Sequence, residues 1–521
     1  MAMVDGVPGA VAAAASEVVT LVSGLREHFR RDAAHRHAVA YVEGLLGEVE
    51  RKNGWQLAEY GGYQHPRTIQ RVLDRSVWDA EAVRDDLRDQ VIEELGDEDG
   101  VLVVDETGFL KHGTKSCGVA RQYSGTAGRI EKCQIGVFLG YASPKGRAGI
   151  DRALYLPCEW ADAQERRTEA GVPEATAFHT KPWLALDMIE RALDAGVPAR
   201  WVVGDSVDGN DGNLRRALEA RGQADALAVK CTEQPTTWPP DGPPGQVAVA
   251  DVAAVLESEQ WQRLSCGDGA QGERLYDWAY VPLRPALADG WVHAVVIHRS
   301  IAAPDELAYY LVYAPTDTSV RDIVQAIGAR WTIEEVFKLA KQRVGLDEYE
   351  VRSWTGWYRR TTLALLALAA LVLGAGVARA ERSVRQHLQQ RVVQGVPVAL
   401  ERVAQHVPRA RRRERLLVLR RLAPEVVRPG PDVLQHQRMQ TRPGRPLQPV
   451  ASRDTQMNVD QPVHQRRGHR PHQRVVLRPV ARRHDHRPVR QRVLADPPLV
   501  DQAVGDDHVA PAAPRSVILD V

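Results

Sequence analysis

Two aspartates and one glutamate sit where their carboxylates could act on one phosphate. Asp105 follows the apolar run in "VLVVDETGF", and Asp205 follows another in "WVVGDSVDG". A continuous apolar run ending in an acid reads as a strand buried on both faces, with its last residue emerging at the sheet edge. Glu334 lies in "ARWTIEEVFKLAKQRVG", where Ile333, Val336, Phe337, Ala340 and Val344 have the spacing of one apolar helix face. Arg330, Glu334, Lys338 and Lys341 share another face, and Glu335 points away from that row. Each acid alone has a plain structural explanation. A strand-end aspartate is often a turn former or helix N-cap, and a charged helix face is often a chain of solvated ion pairs. Together, the three carboxylates suit hard divalent cations such as Mg²⁺, with Mn²⁺ as a substitute. Two such ions about 4 Å apart activate an attacking oxygen and stabilise a leaving oxygen in phosphoryl transfer.

The surrounding elements must bring these residues together. Residues 1 to about 96 read as helices, including "HAVAYVEGLLGEVERKNGWQLAEY" and "AEAVRDDLRDQVIEEL". After "GDEDG" the pattern turns to strands. "RQYSGTAGRIEK" reads as a turn-rich connection, and "CQIGVFLGYAS" and "RALYLPCEW" as strands. "PWLALDMIERALDAG" and "LRRALEARG" read as helices, and "DALAVK" as a strand. The order is three strands, helix, strand, helix, strand, with the aspartates closing the first and fourth strands. Residues 233–320 then interpose the Pro/Gly-rich "QPTTWPPDGPPGQ" and three strand candidates, "ERLYDWAYVPL", "WVHAVVIHRS" and "LAYYLVYAP".

Length and composition narrow the class. A chain of 521 residues exceeds one ordinary domain, and its net charge of +1 selects no partner. The five cysteines form no CxxC pair or Cys/His cluster, which argues against a zinc site or disulfide framework and suits a reducing cytoplasm. The N-terminus lacks the basic segment of a signal peptide. "TTLALLALAALVLGAGVA" reads as a buried core helix rather than a membrane span. Arg51, Lys52, His65, Arg67, Arg71 and Arg75, near Trp55, Tyr60 and Tyr63, have the composition of a DNA-contacting surface and equally of a solvated helical bundle. After Lys341 there is no lysine, and after Tyr358 no aromatic residue. The sequence beyond, as in "QRRGHRPHQRVVLRPVARRHDHRPVRQRV", fits a disordered basic tail that neutralises phosphates. It fits better a shifted reading frame of GC-rich DNA, which yields mainly Arg, Pro, Ala, Val, Gln and His.

Three blocks of this sequence resemble the DDE-type insertion-sequence transposases. They are "VVDETGFLKHGTKSCGVARQYSGTAGRIEKCQIGV", "VVGDSVDGNDGNLRRALEARG" and "RWTIEEVFKLAKQRVGLDEYEVRSWTGWYRR". The third is similar to the branch with a Tyr-x2-Arg-x3-Glu-x6-Lys signature, which falls on Arg330, Glu334 and Lys341. Its tyrosine position is Ile327, and Asp208 stands where relatives commonly have an aromatic residue. The resemblance spans about residues 40 to 375. It implies an α/β fold: a ribonuclease H-like mixed sheet flanked by helices. The expected parts are an N-terminal helical, DNA-binding domain (1–98), a catalytic core in two pieces (99–232 and 321–380), a β-rich insertion (233–320) and a disordered or frameshifted tail (381–521).

The resemblance also implies roles. Asp105, Asp205 and Glu334 would be the catalytic, metal-holding acids, while Arg330, Lys341 and Lys338 would bind DNA phosphates. Two Mg²⁺ ions would serve cleavage of double-stranded DNA at element ends and attack of the freed 3′-hydroxyl on target DNA. A homodimer on DNA and a nucleoid-associated place in the bacterial cytoplasm, with no membrane partner, follow as expectations. Two other readings fit: an inactive, frameshifted remnant that only binds DNA, and a ribonuclease H-like nuclease without strand transfer. Glu106 and Glu335 are not expected to be ligands. Asp208 and Asp211 read as turn residues, and His112 with Lys111 and Lys115 as a loop either near DNA or simply solvated. If the tail is a frameshift product, translating the other two frames of the coding DNA after about codon 375 restores aromatic and lysine content. If neither frame does so, the frameshift explanation is wrong.

Overall fold

The N-terminal helices form around apolar stripes, and two of the four begin at a side-chain cap. Helix α1 (Asp32–Leu46) buries Ala34, Ala38, Tyr41, Val42 and Leu45. Helix α2 (Gly54–Tyr60) begins at Asn53, whose side chain accepts from the Trp55 and Gln56 N–H groups. After α3 (Arg67–Asp74), α4 (Ala80–Leu95) begins at Asp79, which caps Glu81 and Ala82 in the same way. The amphipathic stretch starting at His37 is therefore two helices, separated by the extended backbone before the Asn53 cap. The computed structural model describes residues 21–22, 24–238, 243–269, 272–285, 287 and 289–393, those after 374 as backbone only.

Strands β1 (Val101–Leu110), β2 (Ala120–Ser124), β3 (Arg129–Ser143) and β4 (Gly146–Tyr155) come next. Short helices α5 (Cys158–Ala161) and α6 (Gln164–Ala170) lead to α7 (Lys181–Asp194) and β5 (Trp201–Gly204). Helices α8 (Ser206–Gly209) and α9 (Gly212–Arg221) precede β6 (Asp225–Val229). A small ladder of β7 (Thr236–Thr237) and β8 (Gly245–Gln246) and helix α10 (Val249–Ala254) follow. Strands β9 (Gln262–Gly269), β10 (Gly272–Pro282), β11 (Trp291–Arg299) and β12 (Leu307–Pro315) lead into α11 (Val320–Ala329), α12 (Trp331–Val344) and α13 (Trp354–Val393).

Among the described residues, ten strands form one sheet in the order β2-β3-β1-β5-β6-β12-β11-β10-β9, with β4 also paired to β3. Strands β1, β3 and β4 are antiparallel, whereas β5 and β6 continue parallel to β1. The path β4-β3-β1-β5-β6 is the strand order of a ribonuclease H-like sheet. The segment 233–320 lengthens this sheet, because β12 pairs antiparallel with β6.

Four local differences from the sequence reading have physical reasons. Asp105 is the fifth residue of a ten-residue strand rather than its last, because β3 continues to pair with β1 after β5 has stopped. "RQYSGTAGRIEK" is a β-hairpin, with Ala120–Ser124 paired to Arg129–Cys133. Strand β9, "QRLSCGDG", has no β-branched residue to advertise it. The helix after Trp354 runs to Val393, past the boundary drawn at 380, while the rest of the expected tail lies outside the described residues.

One apolar cluster joins the N-terminal helices, the sheet, α12 and α13, from Leu21 to Leu373. Residues Thr361 to Ala370 of α13 are all buried. Among the described residues no helix is long and apolar enough to cross a membrane.

The helical layer is fixed to the sheet by buried charge. Asp151 on β4 accepts from Arg84 of α4 at 2.6 Å and from Arg191 of α7 at 3.0 Å. Arg152 holds Glu81 through two 2.9 Å bonds and donates to Thr362 of α13, also at 2.9 Å. Burial works against the Asp151 charge, but the three arginines outweigh it and its pKa is lowered. Asp151→Ala removes the closest partner of Arg84, whose side chain is 4% exposed, and leaves it Glu81 and Asp85. The expected loss is about 2–3 kcal/mol in denaturant unfolding, with Asp151→Asn losing less.

Candidate active site

The parallel ladder between β1 and β5 runs only from Val101↔Trp201 to Val103↔Val203. Past it, β5 turns at Asp205 into α8, and β1 carries on beside β3 alone. Asp105 and Asp205 therefore lie on neighbouring strands where the ladder opens, the usual place for a site on a parallel sheet. Helix α12 supplies the third acid, Glu334. It buries Ile333, Val336, Phe337, Ala340 and Val344, the face set by the sequence spacing, so Glu334 stays on the row with Arg330 and Lys341.

Arg330 joins α11 to α12 and stands between two of the acids. Its Nη2 donates to Glu334 Oε1 at 3.0 Å, and its Nη1 lies 3.8 Å from Asp105 Oδ2. Burial disfavours the Arg330 charge, but Asp105 and Glu334 outweigh it and raise its pKa. Burial, and then the charge of Asp205, pushes the Asp105 carboxyl up to about 7. The capping role of a strand-end aspartate is also present. Asp205 Oδ1 accepts from the N–H of Val207 at 2.7 Å and of Asp208 at 3.4 Å. Among the described residues, Asp205 Oδ2 and Glu334 Oε2 receive no hydrogen bond.

Lys341 Nζ donates to Thr107 Oγ1 at 2.9 Å and Thr126 Oγ1 at 3.1 Å, which ties α12 to β1 and to the β2–β3 turn. Lys338 is exposed on the same helix. The neighbouring acids have partners of their own: Glu335 pairs with Arg147 of β4, and Glu106 with Lys181 of α7, each at 2.6 Å. Lys111 donates to the Tyr349 carbonyl at 3.0 Å and Lys115 pairs with Glu169, whereas His112 is exposed. In the basic N-terminal group, Lys52 is buried while Arg51, His65, Arg67, Arg71 and Arg75 are exposed.

Thr107 and Thr126 gave no signal in the sequence beyond their place in the first block. Asp208 was read as a turn residue, and the structure corrects this. Asp211 does cap α9, but Asp208 is buried in α8 with its carboxyl against Gly204. Burial, and then the charges of Asp205 and Asp105, raise its pKa well above the usual range. Gly209 permits this packing, because a Cβ there would overlap the Ala228 carbonyl oxygen.

Helix α11 fixes Arg330 through the far end of the sheet. Arg274 of β10 donates to the carbonyls of Cys266 at 2.9 Å and Gly328 at 3.0 Å, and Gln325 donates to Ser265 O at 2.9 Å. A Cβ at Gly328 would overlap the Cys266 carbonyl oxygen, so glycine lets α11 lie directly on β9.

The donor set fits a hard divalent cation. Asp105 is desolvated and feels the charges of Asp205 and Glu334, and one guanidinium stands between Asp105 and Glu334. Asp105, Asp205 and Glu334 are not drawn into a tight cage. Among the described residues, the group with ligand atoms within 4.8 Å of one another is Glu27, His28 and Asp86. His28 Nε2 there already meets Asp86 Oδ2 at 2.7 Å, and the group lies on the N-terminal helices, apart from this site.

Comparison with known proteins shows what the chain is similar to. Residues 24–248 match the family described as DDE superfamily endonuclease. A probable transposase for insertion sequence element IS701 from Microchaete diplosiphon is 28% identical over 314 residues, covering 59% of this chain and 74% of that protein. These two matches are to a DDE endonuclease family over less than half of the chain and to an insertion-sequence transposase. Among solved structures, the NurA nuclease from Sulfolobus solfataricus aligns over 50% of this chain and 90% of that one. Its TM-score of 0.21 and 11% identity carry no argument about this chain.

The Asp105 carboxyl makes the metal-free stability of the chain depend on pH. The folded chain keeps that proton up to about pH 7, whereas an unfolded aspartate releases it near 3.8. Between those values the folded state holds the extra proton, so stability falls as pH rises through the window. Asp105→Asn is expected to flatten this fall and to stabilise the metal-free protein at pH 8, by roughly 4 kcal/mol at most. Thermal unfolding against pH in EDTA measures it, and parallel wild-type and variant curves would show that Asp105 is not the group.

Proposed function

We propose that this protein is a DNA transposase that cuts insertion-sequence ends and joins the freed 3′-hydroxyl to target DNA. The observation that carries the reading is the convergence of Asp105, Asp205 and Glu334 about Arg330 where the β1–β5 ladder opens. Asp105, Asp205 and Glu334 would hold two divalent ions, Mg²⁺ with Mn²⁺ as a substitute. When bound, such ions polarise the scissile phosphate and activate the attacking oxygen. Arg330 offers a guanidinium to the charge that develops on the phosphate. Lys341, held by Thr107 and Thr126, and the exposed Lys338 add positive charge along α12 for the DNA backbone. Neither supplies sequence readout. Domain limits of 1–98, 99–232, 233–320 and 321–380, a homodimer on DNA and a nucleoid-associated location belong to this proposal.

The abrupt change of composition after Tyr358 favours a second reading, an inactive remnant that only binds DNA. A nuclease that cuts without joining is the third. With Mg²⁺, purified protein is expected to nick DNA carrying the element ends and to join them to a target plasmid. Asp105→Ala, Asp205→Ala and Glu334→Ala should each lower nicking by roughly a hundredfold or more, and Glu335→Ala should not. Binding without nicking supports the remnant, and nicking without joining supports the nuclease. An active Glu334 variant beside a dead Glu335 variant would show that the other glutamate is the ligand.

A further inference from the structure

The β2–β3 hairpin carries a solvent face that the catalytic acids do not use. Its register places Arg121 opposite Lys132 and Tyr123 opposite Ile130. The two pairs are two residues apart, so all four side chains project from the same face. Tyr123 is 60% exposed and Ile130 58%, and both cations are exposed. Among the described residues, neither Arg121 nor Lys132 has an ion-pair partner. The opposite face is occupied: Ser124 lies against Gly108, and Arg129 pairs with Glu131 at 2.9 Å.

The hairpin is fixed at the edge of the site. Thr126 in its turn donates to the Gly108 carbonyl at 3.2 Å and accepts from Lys341 at 3.1 Å. Thr107, the other partner of Lys341, is two residues from Asp105 on β1. A rigid connection thus runs from the proposed catalytic acids to an exposed apolar pair flanked by two cations.

We infer that this face docks DNA beside the phosphate being cut, with Arg121 and Lys132 on backbone phosphates and Tyr123 and Ile130 against sugars and base edges. Charge complementarity and continuity with the acids favour DNA over a protein partner. The two cations are accompanied by no acid at the four positions, and an apolar pair at a hairpin face fits the minor groove as a wedge. The choice of ligand rests on the DNA-cleavage reading above.

The test uses full-length protein and a short labelled duplex of arbitrary sequence in EDTA, with affinity measured across a range of salt concentrations. Arg121→Gln with Lys132→Gln should lower the slope of log affinity against log salt by about 2. Tyr123→Ala with Ile130→Ala should weaken binding about tenfold and leave that slope unchanged. The same slope and affinity as wild type in both double variants would overturn the assignment. Loss of a dimer by light scattering, with DNA affinity intact, would overturn it in favour of a subunit contact. Plasmid nicking by the wild type is read separately. If nicking fails while the variants show their binding defects, the cleavage reading falls and the docking face stands. If nicking succeeds while the variants bind like wild type, only the docking face falls.

Discussion

The arrangement depends on one buried carboxylate. Asp151 lies on β4, is 4% exposed, and receives arginines from α4 and α7, which approach it from different parts of the chain. A carboxylate in that position is tolerable only while its cations remain, and the arginines keep further acids, Glu81, Asp85 and Asp187, around it. Arg152, the next residue, reaches Glu81 and Thr362, so α4 and α13 are secured at the same place. The sheet and its helical cover are thus locked by mutual electrostatic need as well as by apolar packing, and the acids of the site inherit a fixed frame.

Much of this frame could be read from the residues. The apolar runs before Asp105 and Asp205 marked buried strands, and the spacing of Ile333 to Val344 gave the buried face of the glutamate helix. Local pattern could not show where the β1–β5 ladder ends. That depends on which strand pairs with which, and it decides why a mid-strand Asp105 is accessible at all. Nor could it distinguish Lys52, buried in the structure, from the exposed arginines around it, because the same composition serves both. Asp208 was misread for a related reason: "SVDGNDGN" has turn chemistry throughout, and only the packing of α8 on β6 separates the buried aspartate from the capping one.

The electrostatics of the site follow from that geometry. Asp105 and Asp205 are held close by adjacent strands, and Asp208 is added from below by a four-residue helix. One guanidinium, from Arg330, faces this group and is shared with Glu334. The backbone keeps negative charge together that the side chains alone do not balance, and this gives the open end of the ladder its demand for cations.

The contact between α11 and β9 gives the outer strands a part in placing the candidate site without touching it. Gly328 rests on the Cys266 carbonyl, and Arg330 begins only two residues later. Kinematically, α11 and α12 form a crank with its bearing on the outermost strand and its handle at Glu334. The reach of the third acid is set by how firmly that bearing seats, so β9 acts as a calibrating stop for the candidate site several strands away.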